Sequence, residues 1–71
     1  MTPEMIFIDS SNIEAIGFDP EAAELHVHFH SSGQYVYHEV PQDVFDALLE
    51  SPSKGSFLNR EIKPFYTFTK Q

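Results

Sequence analysis

The chain has 71 residues and a net charge of −7, which suits one small acidic domain, and its 41% of apolar residues are too many for a disordered segment. The absence of cysteine excludes disulfides, a thiol nucleophile and cysteine-based zinc sites, and it favours a reducing compartment. No apolar run could span a bilayer and the first residues do not form a secretory signal, so the sequence predicts a cytoplasmic protein without membrane contact.

The first half of the chain is typical of a β-meander preceded by an arm. Residues 1–12 combine turn-forming residues with a short apolar patch, and we interpret them as an N-terminal arm. Alternating apolar and polar residues then predict strands at 13–18, 25–30 and 34–40. An Asp-Pro pair and Gly33 mark the turns between them. We therefore expect a three-stranded antiparallel sheet.

Loop lengths set the expected register of these strands. A four-residue loop follows the first strand, and a three-residue loop ending at Gly33 follows the second. The alternative for the second loop is a two-residue Ser32-Gly33 turn, which would shift the pairing by one and bring Val36 and His38 to the buried face. In the three-residue case the expected pairs are Ile16–Val27, Phe18–Leu25, Phe29–Tyr35 and Val27–Tyr37, with His38 opposite His26.

The period of the pattern changes at Pro41, after which two helices are expected. Apolar residues at helical spacing predict a first helix that starts at Pro41 and ends before Pro52. Ser53 is the expected N-cap of a second, short helix that extends to Ile62 and ends before Pro64. The predicted core consists of Ile16, Phe18, Leu25, Val27, Phe29, Tyr35, Tyr37, Val40, Val44, Phe45, Leu48, Leu49, Phe57, Leu58 and Ile62.

The charges are divided unevenly along the chain. Residues 1–50 carry ten acidic side chains and no Lys or Arg, whereas residues 51–71 carry all four cations and only Glu61, for a charge of +3. One interpretation is a functional basic face in the second part. The alternative is that the two parts attract each other within the fold.

Short motifs are spread over residues 10–66. They are Ser10-Ser11-Asn12-Ile13, Ile16-Gly17-Phe18-Asp19, Leu25-x-Val27-x-Phe29, Gly33-x-Tyr35-x-Tyr37, Val40-Pro41, and Ser53-x-Gly55 leading to Phe57, Asn59, Ile62-Lys63 and Tyr66. Together these motifs resemble the KTSC domain, a small module found at the C-terminus of some lysyl-tRNA synthetases and also alone as short bacterial proteins, although Phe18 stands where the family pattern has Tyr. The resemblance implies a small α+β domain, and the family's occurrence beside a tRNA-charging enzyme suggests RNA as a ligand without assigning an activity.

The second predicted helix and the residues after it form the candidate binding site. Its start offers free backbone N–H groups, a glycine that lets an anion approach and a lysine. Its basic face lies beside an exposed tyrosine that could stack on an RNA base. The alternatives are simple helix capping, and ion pairing of the basic face with Asp43, Asp46 or Glu50. The predicted site residues are Ser53, Lys54, Gly55, Ser56, Asn59, Arg60, Lys63 and Tyr66.

The histidines form a second cluster, because His26, His28 and His30 alternate on one strand and His38 is expected nearby. Imidazoles of His26, His28 and His38 could converge on Zn²⁺ or Ni²⁺. The interpretation we prefer is an exposed polar sheet face, because a flat face offers few groups that could hydrogen-bond to metal-binding imidazoles and hold them in position. We expect no metal and no other cofactor.

Catalytic patterns are missing from the sequence: it has no Gly-x-Ser-x-Gly and no His-Glu-x-x-His. We therefore predict that the protein is not an enzyme and has no small-molecule substrate. Tyr35 and Tyr37 lie two residues apart on one strand, as in the stacking platforms of RNA-recognition sheets. Because the same face must pack against the helices, we expect both in the core instead.

The sequence thus predicts an α+β fold in which a three-stranded antiparallel meander carries two short helices on one face. Residues 13–66 form the domain, between the arm and a tail at 67–71. The first functional prediction is a binding module for RNA, such as tRNA, or for another phosphate-bearing ligand. The second is a protein-interaction or self-association module that uses the open, His-rich sheet face.

Overall fold

The computed structural model describes residues 3–71, which form an α+β fold of one antiparallel sheet and two helices, as the sequence predicts. In this part of the chain no helix is long and apolar enough to cross a membrane. The elements in chain order are β1 (Ile6–Phe7), β2 (Ile13–Asp19), β3 (Glu24–Phe29), β4 (Gly33–Tyr37), α1 (Gln42–Glu50), α2 (Lys54–Phe57), a π-helical turn (Leu58–Ile62) and β5 (Phe68–Lys70).

The sheet has five strands in the order β1-β2-β3-β4-β5, so the prediction of three strands is wrong. The N-terminal arm contributes β1, which pairs Ile6 with Ile16, and the tail contributes β5, which pairs Phe68 with Tyr37. A three-stranded sheet would expose unpaired backbone N–H and C=O groups along β2 and β4. In the folded chain β1 pairs with β2 and β5 pairs with β4, so these groups form hydrogen bonds.

The register between β2 and β3 is the predicted one, with Ile16 opposite Val27 and Phe18 opposite Leu25. The turn between the two strands begins at Asp19, as expected from the Asp-Pro pair. The Asp19 carboxylate accepts hydrogen bonds from two backbone N–H groups of this turn, at 3.1 and 3.3 Å.

The register between β3 and β4 differs from the predicted one by two residues, because Val27 pairs with Tyr35. The loop between the strands consists of residues 30–32 rather than 31–33, so His30 follows the last residue of β3. On the β2 side, the His30 N–H donates to the Asn12 carbonyl at 3.0 Å. Gly33, with a φ of 88°, then begins β4 opposite the last residue of β3. A shift of two residues leaves every side chain on its predicted face. The alternative two-residue turn would have exchanged the faces and is excluded.

Two helices follow the meander where the sequence predicts them. Helix α1 begins directly after Pro41, and α2 begins after Ser53, the predicted N-cap position. After four residues α2 widens into the π-helical turn, in which the Lys63 N–H donates to the Leu58 carbonyl at 2.9 Å. The helical segment therefore reaches Ile62, as expected, but its second half is wider than an α-helix.

The core lies between one face of the sheet and the helices, and every predicted core residue is buried in it or packs against it. Three further residues, Ile8, Ile13 and Tyr66, belong to this core although the sequence pattern does not predict them there. Ile13 reaches the core because the β2–β3 register shifts between Ile13 and Ala15. This bulge lets both Ile13 and Ile16 face the helices, which strict alternation would forbid.

Candidate functional site

Three adjoining cavities form one continuous groove beside α2, the β3–β4 loop and β5. The first, of about 550 Å³, lies between residues 7–12 and the start of α2. The second has a volume of about 180 Å³ and the third about 200 Å³. We call these three cavities together the groove. Shared residues connect them: Asn12, Gly55 and Asn59 line the first and second cavities, and Phe29, Ser32 and Lys63 line the second and third.

The first cavity holds most of the predicted site. Its lysine is partly engaged, because the Lys54 Nζ donates to the Ser51 carbonyl at 3.0 Å. Asp9 lines the opposite wall, so an anion here would meet a carboxylate as well as an ammonium group. This end of the groove is polar but not uniformly basic. The predicted site residues that line it are Ser53, Lys54, Gly55, Ser56 and Asn59.

The start of α2 faces this cavity without a side-chain cap. Ser53 has the extended conformation of an N-cap, but its hydroxyl donates to the Ser56 hydroxyl at 3.1 Å. No side chain within residues 3–71 caps the first N–H groups of α2. Those groups are therefore free to donate to a ligand or to solvent. Ser53 thus occupies the predicted N-cap position, but its side chain does not make the expected capping hydrogen bond.

The third cavity is aromatic, and two lysines lie over its rings. The Lys63 Nζ is 5.2 Å from the centre of the Phe29 ring, and the Lys70 Nζ is 5.8 Å from the centre of the Tyr35 ring. Phe68 completes the aromatic cluster, with its ring centre 5.2 Å from that of Tyr35. Cations at these distances interact favourably with the ring faces.

Tyr37 lines the third cavity although only 2% of its surface is exposed. Burial, and to a lesser degree repulsion from Tyr35, raises the pKa of the Tyr37 hydroxyl above the ordinary value of 10.0. Tyr37 is therefore neutral at physiological pH. Its place in the core confirms the prediction for this residue, whereas Tyr35 is half-buried at the edge of the core and of the cavity.

The basic residues are not paired with the acidic helix α1. Within residues 3–71, the ion pair that involves Lys or Arg joins the Arg60 Nε to the Glu61 Oε2 at 3.9 Å. Asp46 of α1 instead accepts a hydrogen bond from the Gln42 amide at 3.1 Å. The alternative in which Arg60 and Lys63 pair with α1 is therefore wrong.

Two predicted site residues lie elsewhere. The Arg60 side chain is 67% exposed and lines none of the three cavities, in contrast to Lys63 on the same helical segment. Tyr66 is half-buried and packs against the core, so the expectation of an exposed stacking ring at this position is wrong. The Tyr66 N–H donates to the Ile62 carbonyl at 3.1 Å, which folds the chain back after the π-helical turn.

Several groove residues were not among those predicted. The sequence predicts Phe29 only as a core residue and places Phe68 and Lys70 in the tail at 67–71. The available signal is composition: residues 65–71 contain three aromatic residues and a lysine, which is unusual for an unattached end. Asn12 stands in one of the family motifs, but neither it nor the β3–β4 loop carries a pattern that points to a binding site. The missed residues that line the second and third cavities are Asn12, Phe29, Ser31, Ser32, Tyr35 and Phe68, and the Nζ of Lys70 lies over the Tyr35 ring.

The opposite, His-rich sheet face is only partly open, which corrects the prediction of an open face. At Gly17 the N-terminal segment passes so close that a Cβ atom would lie 2.7 Å from the Met5 Sδ and 2.8 Å from the Glu4 carbonyl oxygen. His26 and Val36 are also buried, at 7% and 4% exposure. Only part of this face is thus accessible to a partner.

Glu24 lies between two histidines on that face. Its carboxylate oxygens are 3.5 Å from the His26 Nε2 and 3.5 Å from the His38 Nδ1. The remaining ring nitrogens are engaged, since the His26 Nδ1 is 3.2 Å from the Gln34 amide and the His38 Nε2 is 2.8 Å from the Thr69 hydroxyl. His26 faces Val36, so the expected pairing with His38 is wrong.

These side chains do not form a metal centre. Among residues 3–71 no group of three or more His, Cys, Asp or Glu side chains is arranged to hold a metal ion. His28 pairs with Gln34 and lies half-buried, apart from the contacts that Glu24 makes to His26 and His38. The alternative of a site at His26, His28 and His38 thus has no support from the geometry.

Known proteins resemble this chain over nearly its whole length. The defining pattern of the KTSC domain matches residues 9–66. A protein of Tsukamurella paurometabola is 46% identical over 57 residues, which cover 80% of this chain and 85% of the relative. An uncharacterized protein of Stutzerimonas stutzeri is 41% identical over 59 residues, which cover 83% of each.

A solved structure also resembles this chain over nearly its whole length. The crystal structure of a KTSC domain protein from Yersinia pestis superposes with a TM-score of 0.95 and 30% identity, over 99% of both chains. The resemblance seen in the motifs of residues 10–66 is confirmed. The chain belongs to the KTSC domain family.

Proposed function

We propose that this KTSC domain is a non-enzymatic binding module that holds RNA, or another phosphate-bearing ligand, in the groove. The observation that carries the proposal is the charge of the second and third cavities. Among the described residues that line them, Lys63 is the only charged one. A phosphate in this part of the groove would meet an ammonium group and no carboxylate.

The two lysines that lie over rings of the third cavity are available to a phosphate because their present contacts are weak. An exposed cation–π contact contributes about 0.5–1 kcal/mol. A hydrogen bond to a charged group contributes about 1.5–3 kcal/mol. Lys63 and Lys70, which lie over Phe29 and Tyr35, would therefore gain free energy by turning toward a phosphate oxygen.

Neutral hydrogen-bonding groups continue the site away from Lys63. Asn12, Ser32 and Asn59 line the second cavity, and the start of α2, which has no side-chain cap, lines the first. Such groups are the ones that contact phosphate and sugar oxygens in nucleic-acid complexes. A chain of successive phosphates and sugars would form hydrogen bonds with more of these groups than a single anion could.

The net charge of −7 weakens attraction to a polyanion but does not prevent it. Charges at physiological ionic strength are screened over about 8 Å. The molecule measures 28 × 22 × 22 Å, so carboxylates on the far side of the sheet lie beyond that distance from the groove. We expect weak binding that decreases with added salt, because few phosphates are neutralised.

The other predicted function, protein interaction or self-association through the His-rich face, has less support. That face is partly covered at Gly17, and His26 and Val36 are buried. A partner would have to bind to the accessible remainder around His28 and His38. Resonances at those residues that shift with protein concentration would favour this function.

The test is an NMR titration of the isotope-labelled protein with a short single-stranded oligouridine at low salt. We expect the largest shifts at Asn12, Asn59 and Lys63, together with residues of the β3–β4 loop. Fluorescence anisotropy then measures the affinity of Lys63→Gln. We expect several-fold weaker binding and a salt slope smaller by about 0.7, because one phosphate contact is lost.

Arg60→Gln is the matched control, because it removes the same charge from the same helical segment but outside the groove. Its affinity should change little. Equal losses in the two variants would show that only overall charge matters and would contradict the proposal. Absence of any shift at low salt would contradict it as well.

A further inference from the structure

The third cavity differs from the rest of the groove in being walled by aromatic rings. Phe29 and Tyr35 meet edge to face, with ring centres 5.4 Å apart and an interplanar angle of 90°. Phe68 leans on both tyrosines, at 5.2 Å from Tyr35 and 5.7 Å from Tyr37. Yet 54% of Phe68 remains exposed, although β5 holds its backbone in the sheet. The cavity thus presents a fixed aromatic surface to solvent.

The size and charge of this cavity restrict what it could hold. Its volume of about 200 Å³ is below that of sites for whole drug-sized molecules, so it suits a single ring. The ammonium groups of Lys63 and Lys70 lie at its rings, and no carboxylate lines it among the described residues. A flat ring attached to an anionic group fits both conditions.

We propose that the third cavity is a stacking site for one unpaired nucleobase of a single-stranded nucleic acid. The base lies against the exposed Phe68 ring, and the adjacent phosphate contacts Lys63 or Lys70. Stacking on an aromatic side chain tolerates any base, so we expect little sequence preference. This inference rests on the proposed function and adds the reason for choosing a single strand over a duplex, whose bases are not free to stack on protein.

The experiment compares two strands of equal length and phosphate number, an oligouridine and the same strand with abasic residues throughout. Both carry the phosphates that the groove requires, but only the first carries bases. We expect the oligouridine to bind at least about fivefold more tightly. Ring protons of Phe68 and Tyr35 should move upfield with the oligouridine and not with the abasic strand.

Phe68→Ala should remove the preference for the oligouridine, and Phe68→Tyr, which keeps the ring, should retain it. Phe65→Ala is the control, because Phe65 is 71% exposed and lines none of the cavities. The comparison of strands on the unmodified protein needs no variant to fold.

Equal binding of the two strands would overturn the stacking site and leave the phosphate-binding proposal intact. Loss of the preference in Phe65→Ala would overturn the assignment to the third cavity. Binding of neither strand at low salt would overturn both proposals.

Discussion

Tyr37 shows how one residue joins the core to the groove. Its ring is buried among the core residues, and it also lines the third cavity. Burial and the neighbouring Tyr35 both oppose ionisation of its hydroxyl, and they raise the pKa of Tyr37 above 10.0. An acid with a raised pKa in the folded state binds its proton more tightly there than in the unfolded chain.

We expect the free energy of unfolding to decrease as the pH rises above about 10, because Tyr37 must lose its proton from a buried position. The contribution of Tyr37 is fully present below the unfolded-state pKa and is lost as the pH passes the folded-state pKa. Urea unfolding between about pH 9 and pH 11 measures it. Tyr37→Phe should flatten the profile, and Tyr66→Phe should not. Identical profiles for the two variants would contradict the prediction.

At the scale of elements, the N-terminal segment covers the sheet face opposite the helices. Gly17 of β2 has no side chain, and this lets the backbone at Glu4 and the side chain of Met5 lie directly on the strand. A Cβ atom at residue 17 would approach both within 3 Å. Glu4 and Met5 of the N-terminal segment therefore cover the middle of this sheet face.

Gly17→Ala should destabilise the protein by about 1–3 kcal/mol, because the N-terminal segment must move off the strand. Urea unfolding measures the loss. In a chain that starts at Ile6 the same substitution should be neutral or slightly stabilising, since alanine suits a strand better than glycine does. An equal loss in both backgrounds would locate the strain within the sheet instead.

The sequence predicts well the features that depend on local patterns. Alternation places Leu25, Val27, Tyr35 and Tyr37 on the correct face, and Pro41 marks the start of α1. It fails at the β3–β4 register, because the three-residue loop begins at His30 and not at Ser31, and alternation alone does not distinguish the two. It also fails at β1 and β5, because strands of two and three residues are too short to show a period.

The sequence predicts the residues of only one wall of the groove, the wall formed by α2 and the π-helical turn. Local composition identifies Lys54, Asn59 and Lys63 as polar and basic residues of one helix. The other wall of the groove comes from Phe29 and Phe68, which are 39 positions apart in the sequence and reach the same cavity because β3, β4 and β5 pair in that order. A single sequence does not show such pairings, because each aromatic residue by itself is typical of a core.

At the scale of the whole molecule, the separation of charge sets the conditions for binding. All four cations follow residue 50, and three of them, Lys54, Lys63 and Lys70, lie along the groove or over its rings. At physiological ionic strength most of the acidic remainder is screened from a polyanion in the groove, so we expect the nearby cations to determine binding.

The strand β5 ends a connection that contains both helices. Between Tyr37 and Phe68 the chain leaves the sheet, forms α1 and α2, and returns to pair with the strand it left. The helices are thus held in a loop whose two ends are joined by one short ladder. Phe68 and Lys70 belong to that ladder, so a ligand held by them binds only when the loop is closed. A ligand present at a hundred times its Kd would stabilise the closed loop by about 2.7 kcal/mol. It would therefore slow amide hydrogen exchange along β4 and β5 even though it contacts only side chains.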